Sequence, residues 1–174
     1  MTAFVALLRA VNVGGTGKLS MSVLTGLCED AGFGKVKTYI ASGNVVFESS
    51  RSEQQVKALL ETALRKYAGK PVRVLVRTAA EVAAVLAANP FPDAAPSRTV
   101  AIFLDAAPPD DALDHVSGIN GEEIRLGTRE IYVHYGDGMA HSKLKIPAAG
   151  AGTARNMNTV AKLSTLAAAI SGHA

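Results

Sequence analysis

The stretch Thr153–Leu163 gathers the residue types that could bind an anion. Its sequence, TARNMNTVAKL, contains two cations and two amides within eight residues. Four of its polar residues recur at the helical spacing i, i+3, i+4 and i+7: Arg155, Asn158, Thr159 and Lys162. An apolar stripe faces the other way: Val160, Leu163, Ala167 and Ile170. The spacing predicts that this stretch opens the last helix, with one polar face and one core face.

A helix N-terminus that carries cations favours an anionic ligand. Its unpaired N–H groups and partial positive charge already attract anions, so added Arg and Lys oppose the helix dipole unless an anion is bound. The alternative is a capped helix with an ordinary solvated polar face. Two amides among the cations, the lack of any acid after Asp137 and a glycine-rich approach favour ligand binding.

A second glycine-rich segment, Asn12–Lys18, invites comparison with a phosphate-binding loop. The Walker A pattern is not met, because Asn12 stands where its first Gly belongs and Leu19 where its Ser or Thr belongs. The dinucleotide-binding pattern is absent as well. The alternative is a strand-to-helix turn, although Arg9 beside it supports a functional interpretation.

The charge distribution indicates that both ends of the chain are basic. The 174 residues carry a formal net charge of +3 and are 48% hydrophobic, which predicts a folded globular protein. Residues 1–92 hold 11 Lys/Arg against 6 Asp/Glu, residues 93–137 hold 3 against 9, and residues 138–174 hold 4 against none. The basic ends could converge on an anionic ligand, or could simply attract the acidic middle.

Cysteine content and hydropathy narrow the class of protein. The single Cys28 excludes an internal disulfide and shares a helical face with Leu24 and Leu27, so we interpret it as a core residue. No signal peptide is recognisable and no segment approaches membrane-spanning length. A cytoplasmic protein without a membrane partner is expected.

The first half of the chain alternates strand and helix patterns. In order, they predict a strand at Phe4–Arg9, a helix at Ser20–Ala31, a hairpin at Val36–Ser49, a helix at Ser52–Tyr67 and a strand at Val72–Arg77. The order βαββαβ is that of a ferredoxin-like split βαβ unit. A two-residue Gly43-Asn44 loop would direct five side chains inward: Val36, Thr38, Ile40, Val45 and Phe47.

The second half repeats the pattern less regularly. It predicts a helix at Thr78–Asn89, a strand at Thr99–Leu104, a short acidic helix at Pro109–Val116 and a hairpin at Glu122–Tyr135. A Gly127-Thr128 loop would place Arg125 opposite Glu130. It would also direct four residues to the core: Ile124, Leu126, Ile131 and Val133. A last strand is missing, unless His141–Ile146 supplies it at an edge.

These patterns together predict an α+β fold with mainly antiparallel sheets and helices on one face. One ferredoxin-like lobe is expected at residues 1–78, a helix and proline-bearing connector at 79–98, and a second ferredoxin-like lobe, closed by a C-terminal helix, at 99–174.

Metal-binding and catalytic patterns are not recognisable. The four histidines are scattered and no pair has metal-ligand spacing with a third ligand nearby, so neither a metal nor a cofactor is expected. No carboxylate pair or nucleophile–base pair stands out. The RNA-recognition consensus is also missing, and Tyr39 and Tyr132 are the only aromatic residues predicted on the outer strand faces, where they could stack on bases.

Five motifs, in this order, resemble a known family. They are Leu7–Gly15 (LLRAVNVGG), Thr38–Phe47 (TYIASGNVVF), Asn89–Phe91 (NPF), Tyr135–Met139 with Ser142–Leu144 (YGDGM and SKL), and Thr153–Val160 with Lys162-Leu163 (TARNMNTV and KL). Together they resemble, over essentially the whole chain, a bacterial family catalogued only as a domain of unknown function, DUF1697. The resemblance implies two ferredoxin-like lobes and no known activity.

The resemblance also implies site candidates, which are Arg9, Asn12, Ser42, Asn44, Arg155, Asn156, Asn158 and Lys162. The chain departs from the family pattern at Ala10, where Gly is usual, and at Met157, where an aromatic residue, commonly Trp, is usual. Ala10 suggests that the backbone there does not need a positive φ. Met157 argues against a stacking role at that position.

Three hypotheses follow from the sequence. The first is a protein that binds a phosphate-bearing or other anionic ligand, nucleic acid included, at a basic site between the lobes. The second is an enzyme acting on a phosphorylated or carboxylated small molecule in the same cleft, and the third is an assembly protein. The lack of a recognisable base or nucleophile favours binding. The predicted ligand-binding residues are Arg9, Asn12, Lys18, Ser42, Asn44, Lys143, Arg155, Asn156, Asn158, Thr159 and Lys162.

Overall fold

A computed structural model of the chain gives the structure, which describes residues 1–9, 19–39, 43–136 and 142–171. The chain divides into two compact units, Met1–Ala83 with Lys162–Ala174, and Ala84–Ala161. Each unit contains one four-stranded antiparallel sheet. The predicted α+β class is confirmed.

The first sheet has the strand arrangement of a split βαβ unit. Its strands are β1 (Thr2–Leu8), β2 (Gly34–Tyr39), β3 (Asn44–Ser49) and β4 (Val74–Thr78). Their order is β2-β3-β1-β4, so β3 separates the two strands that helix α1 (Met21–Asp30) joins. Helix α2 (Glu53–Ala68) joins β3 to β4. The ferredoxin-like order predicted for this half is confirmed.

Local sequence sets both ends of α2. Ser52 and Gln55 form a capping box, in which each side chain accepts a hydrogen bond from the other residue's backbone N–H. Gly69 ends the helix in the left-handed conformation, with φ 74°, and its N–H donates to the Arg65 carbonyl at 2.8 Å. The stripe that joins the core is Val56, Leu60 and Leu64.

The core of the first unit is centred on three phenylalanines. The Phe47 ring stacks on Phe33, with centroids 4.3 Å apart and planes inclined by 7°, and lies 6.0 Å from Phe4. Val45 and Phe47 are completely buried, which confirms the predicted inward face of β3. Cys28 is completely buried in the same cluster, so its interpretation as a core residue is confirmed.

The first hairpin has a longer loop than predicted. Tyr39 pairs with Asn44 and Thr38 pairs with Val45, so Asn44 belongs to a strand and the predicted two-residue Gly43-Asn44 loop is wrong. The physical reason is the Asn44 side chain, whose Nδ2 donates to the Tyr39 carbonyl at 3.0 Å and joins the two strand ends. Ile40, predicted to point inward, lies outside the described residues.

The second sheet repeats the arrangement of the first. Its strands are β5 (Thr99–Phe103), β6 (Glu123–Leu126), β7 (Glu130–His134) and β8 (Thr153–Asn156). Their order is β6-β7-β5-β8, which is the same permutation. The missing last strand is β8, whereas residues 142–146 contribute only an isolated bridge between Lys145 and Ser117.

Short turns replace helices between the strands of the second sheet. In the described part of the chain, a 3-10 turn at Ala112–His115 lies between β5 and β6, and another at Pro147–Ala149 lies between β7 and β8. The α-helix predicted at Pro109–Val116 is therefore wrong, because a segment this short does not repay the cost of helix nucleation. The connections cover the core face of the sheet with Val116, Leu144, Ile146, Ala148 and Ala149. Helices α3 (Ala79–Ala87) and α4 (Met157–Ser171) precede and follow this sheet.

The second hairpin keeps its predicted core face but not its register. Ile124, Ile131 and Val133 are buried in the core, as predicted. Arg125 pairs with Tyr132, however, so the predicted Arg125–Glu130 pair is wrong. The Gly127 N–H donates to the Glu130 carbonyl at 2.7 Å, which closes the loop at a greater length than predicted.

Candidate functional site

The stretch Thr153–Leu163 spans the end of a strand and the start of a helix. Thr153–Asn156 form β8, in which Arg155 pairs with Ala101 of β5, and α4 follows directly. The predicted polar stripe is therefore wrong, because Arg155 lies on the strand and Lys162 on the helix. The segment pairs with β5 instead of extending the helix, because this pairing provides hydrogen-bond partners for the backbone N–H and C=O groups of both strands. The predicted core stripe of α4 is confirmed: Val160, Leu163, Ala167 and Ile170 are buried.

Arg155 is enclosed by its surroundings. The residue is only 8% exposed, and its guanidinium donates to Thr153 Oγ1 at 2.7 Å and to the Ala154 carbonyl at 2.9 Å. Burial lowers the pKa of Arg155 to about 10, which leaves it charged at neutral pH. The charged guanidinium therefore forms hydrogen bonds within β8 and is not available on the surface.

Asn156 is the N-cap of α4. Its Oδ1 accepts a hydrogen bond from the Thr159 N–H at 2.9 Å. Thr159 is itself buried, whereas Asn158 and Lys162 are exposed one turn apart on the helix. These two exposed side chains are the members of the predicted stripe that a ligand in solution can reach.

Replacing Asn156 with alanine is expected to lower the free energy of unfolding by about 1 kcal/mol, because the Thr159 N–H loses its acceptor. Asn158→Ala, in the same helical turn, removes an exposed amide and is expected to change that energy by less than about 0.5 kcal/mol. Urea unfolding of both variants, followed by circular dichroism, measures the two values. Equal effects would contradict the capping role.

Lys143 extends from a well-anchored backbone in the second unit. The neighbouring Ser142 hydroxyl donates to the Glu122 carboxylate, and this bond, with a second from the Asn120 N–H, lowers the pKa of that carboxyl. The chain also passes close to Gly118, where a Cβ would lie 2.1 Å from the Lys143 carbonyl oxygen. The Lys143 side chain itself is exposed. It is a surface cation held on a closely packed loop.

The face of the second sheet opposite its core is partly covered by α3 and by the segment between α3 and β5. Tyr132 is 3% exposed and its hydroxyl donates to the Val85 carbonyl at 2.9 Å, while burial raises its pKa to about 12. The Arg125 guanidinium carbon lies 5.7 Å from the centroid of the Phe91 ring. Tyr132 is therefore unavailable for base stacking, contrary to its interpretation from the sequence.

Another group of predicted residues lies at one end of the first sheet. Arg9 directly follows β1, and Asn44 begins β3 beside it, where the Leu8 N–H donates to the Gly43 carbonyl at 2.8 Å. Asn44 is completely buried, so its amide joins strand ends and does not face solvent. Three further predicted residues lie outside the described residues: Asn12, Lys18 and Ser42.

The same end places Arg9 opposite Arg73, an arginine not among the predicted site residues. β1 pairs with β4 up to Leu8 and Val74, and the register continues by one residue, because the Arg9 N–H donates to the Arg73 carbonyl at 2.9 Å. Arg73 is exposed and Arg9 half-buried. The alternation in Val72–Arg77 predicts that Arg73 points away from the core, but only the strand order identifies its partner.

Within the described ranges, no cluster of three or more His, Cys, Asp or Glu side chains could hold a metal ion. Nor does any helix in that part of the chain have the length and apolar character needed to cross a membrane.

Comparison with known proteins identifies a family. The sequence model described as "Protein of unknown function (DUF1697)" matches residues 1–132. The chain belongs to the DUF1697 family. The matched range includes the first three of the five motifs: Leu7–Gly15, Thr38–Phe47 and Asn89–Phe91. The DUF1697 description assigns no activity, so function has to be argued from the site.

A solved structure shares the fold of this DUF1697 protein along nearly the whole chain. It is the conserved bacterial protein SP0830 from Streptococcus pneumoniae, with a TM-score of 0.78 and 25% sequence identity over 95% of this chain and 98% of that chain. A search of curated proteins found no match. The description of the SP0830 structure names no ligand.

Proposed function

We propose that this DUF1697 protein binds a phosphate-bearing or other anionic ligand at the end of the first sheet. The observation that carries the proposal is the placement of Arg9 and Arg73 directly opposite each other at the ends of β1 and β4. We refer to these two residues as the arginine edge.

Like charges directly opposite each other in an antiparallel pair repel, and an anion between them relieves that repulsion. Residues directly opposite each other in an antiparallel pair have Cβ atoms about 4.5–5.5 Å apart, and like charges there are destabilising. A phosphate or carboxylate between the two arginines makes the net electrostatic interaction favourable, because each guanidinium can donate two parallel hydrogen bonds to it. A bound anion thus replaces a repulsion with two charge-assisted contacts.

The surroundings of the arginine edge support this proposal. Arg73 forms no salt bridge with any residue that the structure describes. In sequence, the segment after Arg9 contains three glycines and Lys18, a composition that suits close approach of backbone to a phosphate. Arg155, by contrast, is buried and bonded within β8. The arginine edge is therefore the better candidate.

Arg73→Gln is expected to weaken binding of inorganic pyrophosphate about tenfold or more, because a charge-assisted hydrogen bond contributes about 1.5–3 kcal/mol. The ligand-free variant is expected to melt at the same temperature as the wild type or slightly higher, because a like-charge repulsion is removed. Isothermal titration calorimetry measures the first effect and thermal unfolding the second. A purely structural Arg73 would instead lower the melting temperature.

Arg51→Gln is the matched control. Arg51 is an exposed arginine just after β3, at the opposite end of the same sheet, so the variant removes the same charge away from the arginine edge. It should bind pyrophosphate as the wild type does. An equal loss in both variants, or no saturable pyrophosphate binding by the wild type, would overturn the proposal.

A further inference from the structure

The turn that leads from α2 into β4 is strongly basic. Residues 62–80 contain five cations and no acid. Four of these cations are exposed and lie between the last turn of α2 and the start of β4: Arg65, Lys66, Lys70 and Arg73. We call these four residues the basic turn. Because Arg73 also belongs to the arginine edge, the two basic surfaces are continuous.

Helix stabilisation accounts for only part of this charge. Arg65 and Lys66 complement the negative end of the α2 dipole. Lys70 and Arg73 follow Gly69, which ends the helix, so the dipole does not explain them. No residue of the basic turn forms a salt bridge with another described residue. The four cations thus have no acidic partner among the described residues, although Glu61 and Asp30 line the hollows beside them.

An aromatic ring is exposed among these cations. Tyr67 is 48% exposed and, with Lys66, Leu27 and Leu59, lines an open groove of about 720 Å³. The groove leaves room for a planar group beside the ring. Arg65 and Arg73 line a second hollow, of about 400 Å³. Cationic and aromatic contacts are thus available side by side.

We infer that the anionic ligand is a single-stranded nucleic acid, whose phosphates contact the basic turn and the arginine edge while one base stacks on Tyr67. This inference rests on the proposed function, because Arg73 belongs to both surfaces. A small phosphate would need neither four cations nor an exposed ring, and a duplex keeps its base faces stacked inside. An unpaired strand uses both, since cations follow its backbone and aromatic rings stack on its bases irrespective of sequence.

Tyr67→Ala is expected to weaken binding of a fluorescein-labelled 12-nucleotide oligouridylate about tenfold, the usual loss for one base–aromatic stack. Tyr67→Phe should bind as the wild type does, because stacking requires the ring and not the hydroxyl. Neither variant should change pyrophosphate binding. Fluorescence anisotropy at low salt measures the affinities.

The basic turn is tested by salt dependence. Each phosphate neutralised on a single strand contributes about 0.7 to the slope of log Kobs against log salt, so the double variant Lys66→Gln, Lys70→Gln should reduce that slope by about 1.4. The control, Lys35→Gln with Lys37→Gln, removes two exposed cations of the same unit that line neither hollow, and it should leave the slope unchanged.

Three results would overturn the inference while leaving the proposed function intact, provided that pyrophosphate still binds. They are no oligouridylate binding at low salt, tighter binding of a duplex of equal length, and equal losses for Tyr67→Ala and Tyr67→Phe. Failure of both the oligonucleotide and pyrophosphate to bind would overturn both proposals.

Discussion

Replacing Phe47 with alanine is expected to lower the free energy of unfolding by about 3–5 kcal/mol. Phe47 is completely buried, stacks on Phe33 at 4.3 Å between ring centroids and lies 6.0 Å from Phe4. The substitution loses the transfer free energy of the ring and leaves a cavity, which close packing on a central strand cannot readily fill. Urea unfolding followed by circular dichroism measures the loss.

Phe47→Leu is the control for this prediction. It retains most of the apolar volume and is expected to cost about half as much as the alanine variant, or less. A loss below about 1 kcal/mol for Phe47→Ala would contradict the position of the ring at the centre of the core. The last residue of the motif Thr38–Phe47 therefore has a role in core packing.

The protein is expected to lose stability as the pH rises above about 9. Burial, with a smaller contribution from the Glu29 charge, raises the pKa of the Cys28 thiol from 9.0 to about 12. The unfolded thiol releases its proton near its ordinary pKa while the folded thiol retains it, so the free energy of unfolding falls with pH between these two values. The contribution is fully present below the lower value. Its loss approaches about 1.4 kcal/mol per pH unit, or about 4 kcal/mol over the whole interval.

Cys28→Ala isolates the thiol, because it removes the titrating group from the same core position. Unfolding by urea between about pH 8 and 10 avoids most of the titration of the buried tyrosines, whose ordinary pKa is about 10. Over that window the wild type should lose about 1.4 kcal/mol more than the variant. If the free energies of unfolding of the wild type and the variant changed equally with pH, the folded thiol would ionise as readily as the unfolded one.

Strand alternation predicted which side chains enter each core, even where the predicted pairing was wrong. In both hairpins the observed register differs from the predicted one by an even number of residues, as the pairs Tyr39–Asn44 and Arg125–Tyr132 show. Side chains alternate with a period of two, so an even displacement leaves each on its predicted face. Turn residues alone did not reveal the loop lengths, because these depend on contacts such as that of the Asn44 amide with the Tyr39 carbonyl.

The candidate site was less predictable than the core. Asn44 and Asn156 both match family motifs, yet each amide bonds a backbone group of a neighbouring element. Arg155 has the right residue type for an anion site but is buried in a strand. Arg9 was predicted from the sequence as a ligand-binding residue. Arg73 was not, because it occurs in a segment whose pattern is that of an ordinary buried strand.

The sequence by itself determined the element order of the first unit, the inward faces of both sheets, the ends of α2 and the family. Those features depend on residues within a few positions of one another, through strand alternation, helical periodicity and capping. Only the tertiary structure decided that Thr153–Asn156 pair with β5 as a strand, and that Arg9 meets Arg73. Both outcomes join residues that are some fifty or more positions apart. Strand pairing and the proximity of charged residues depend on contacts between such distant segments, so local sequence patterns do not predict them.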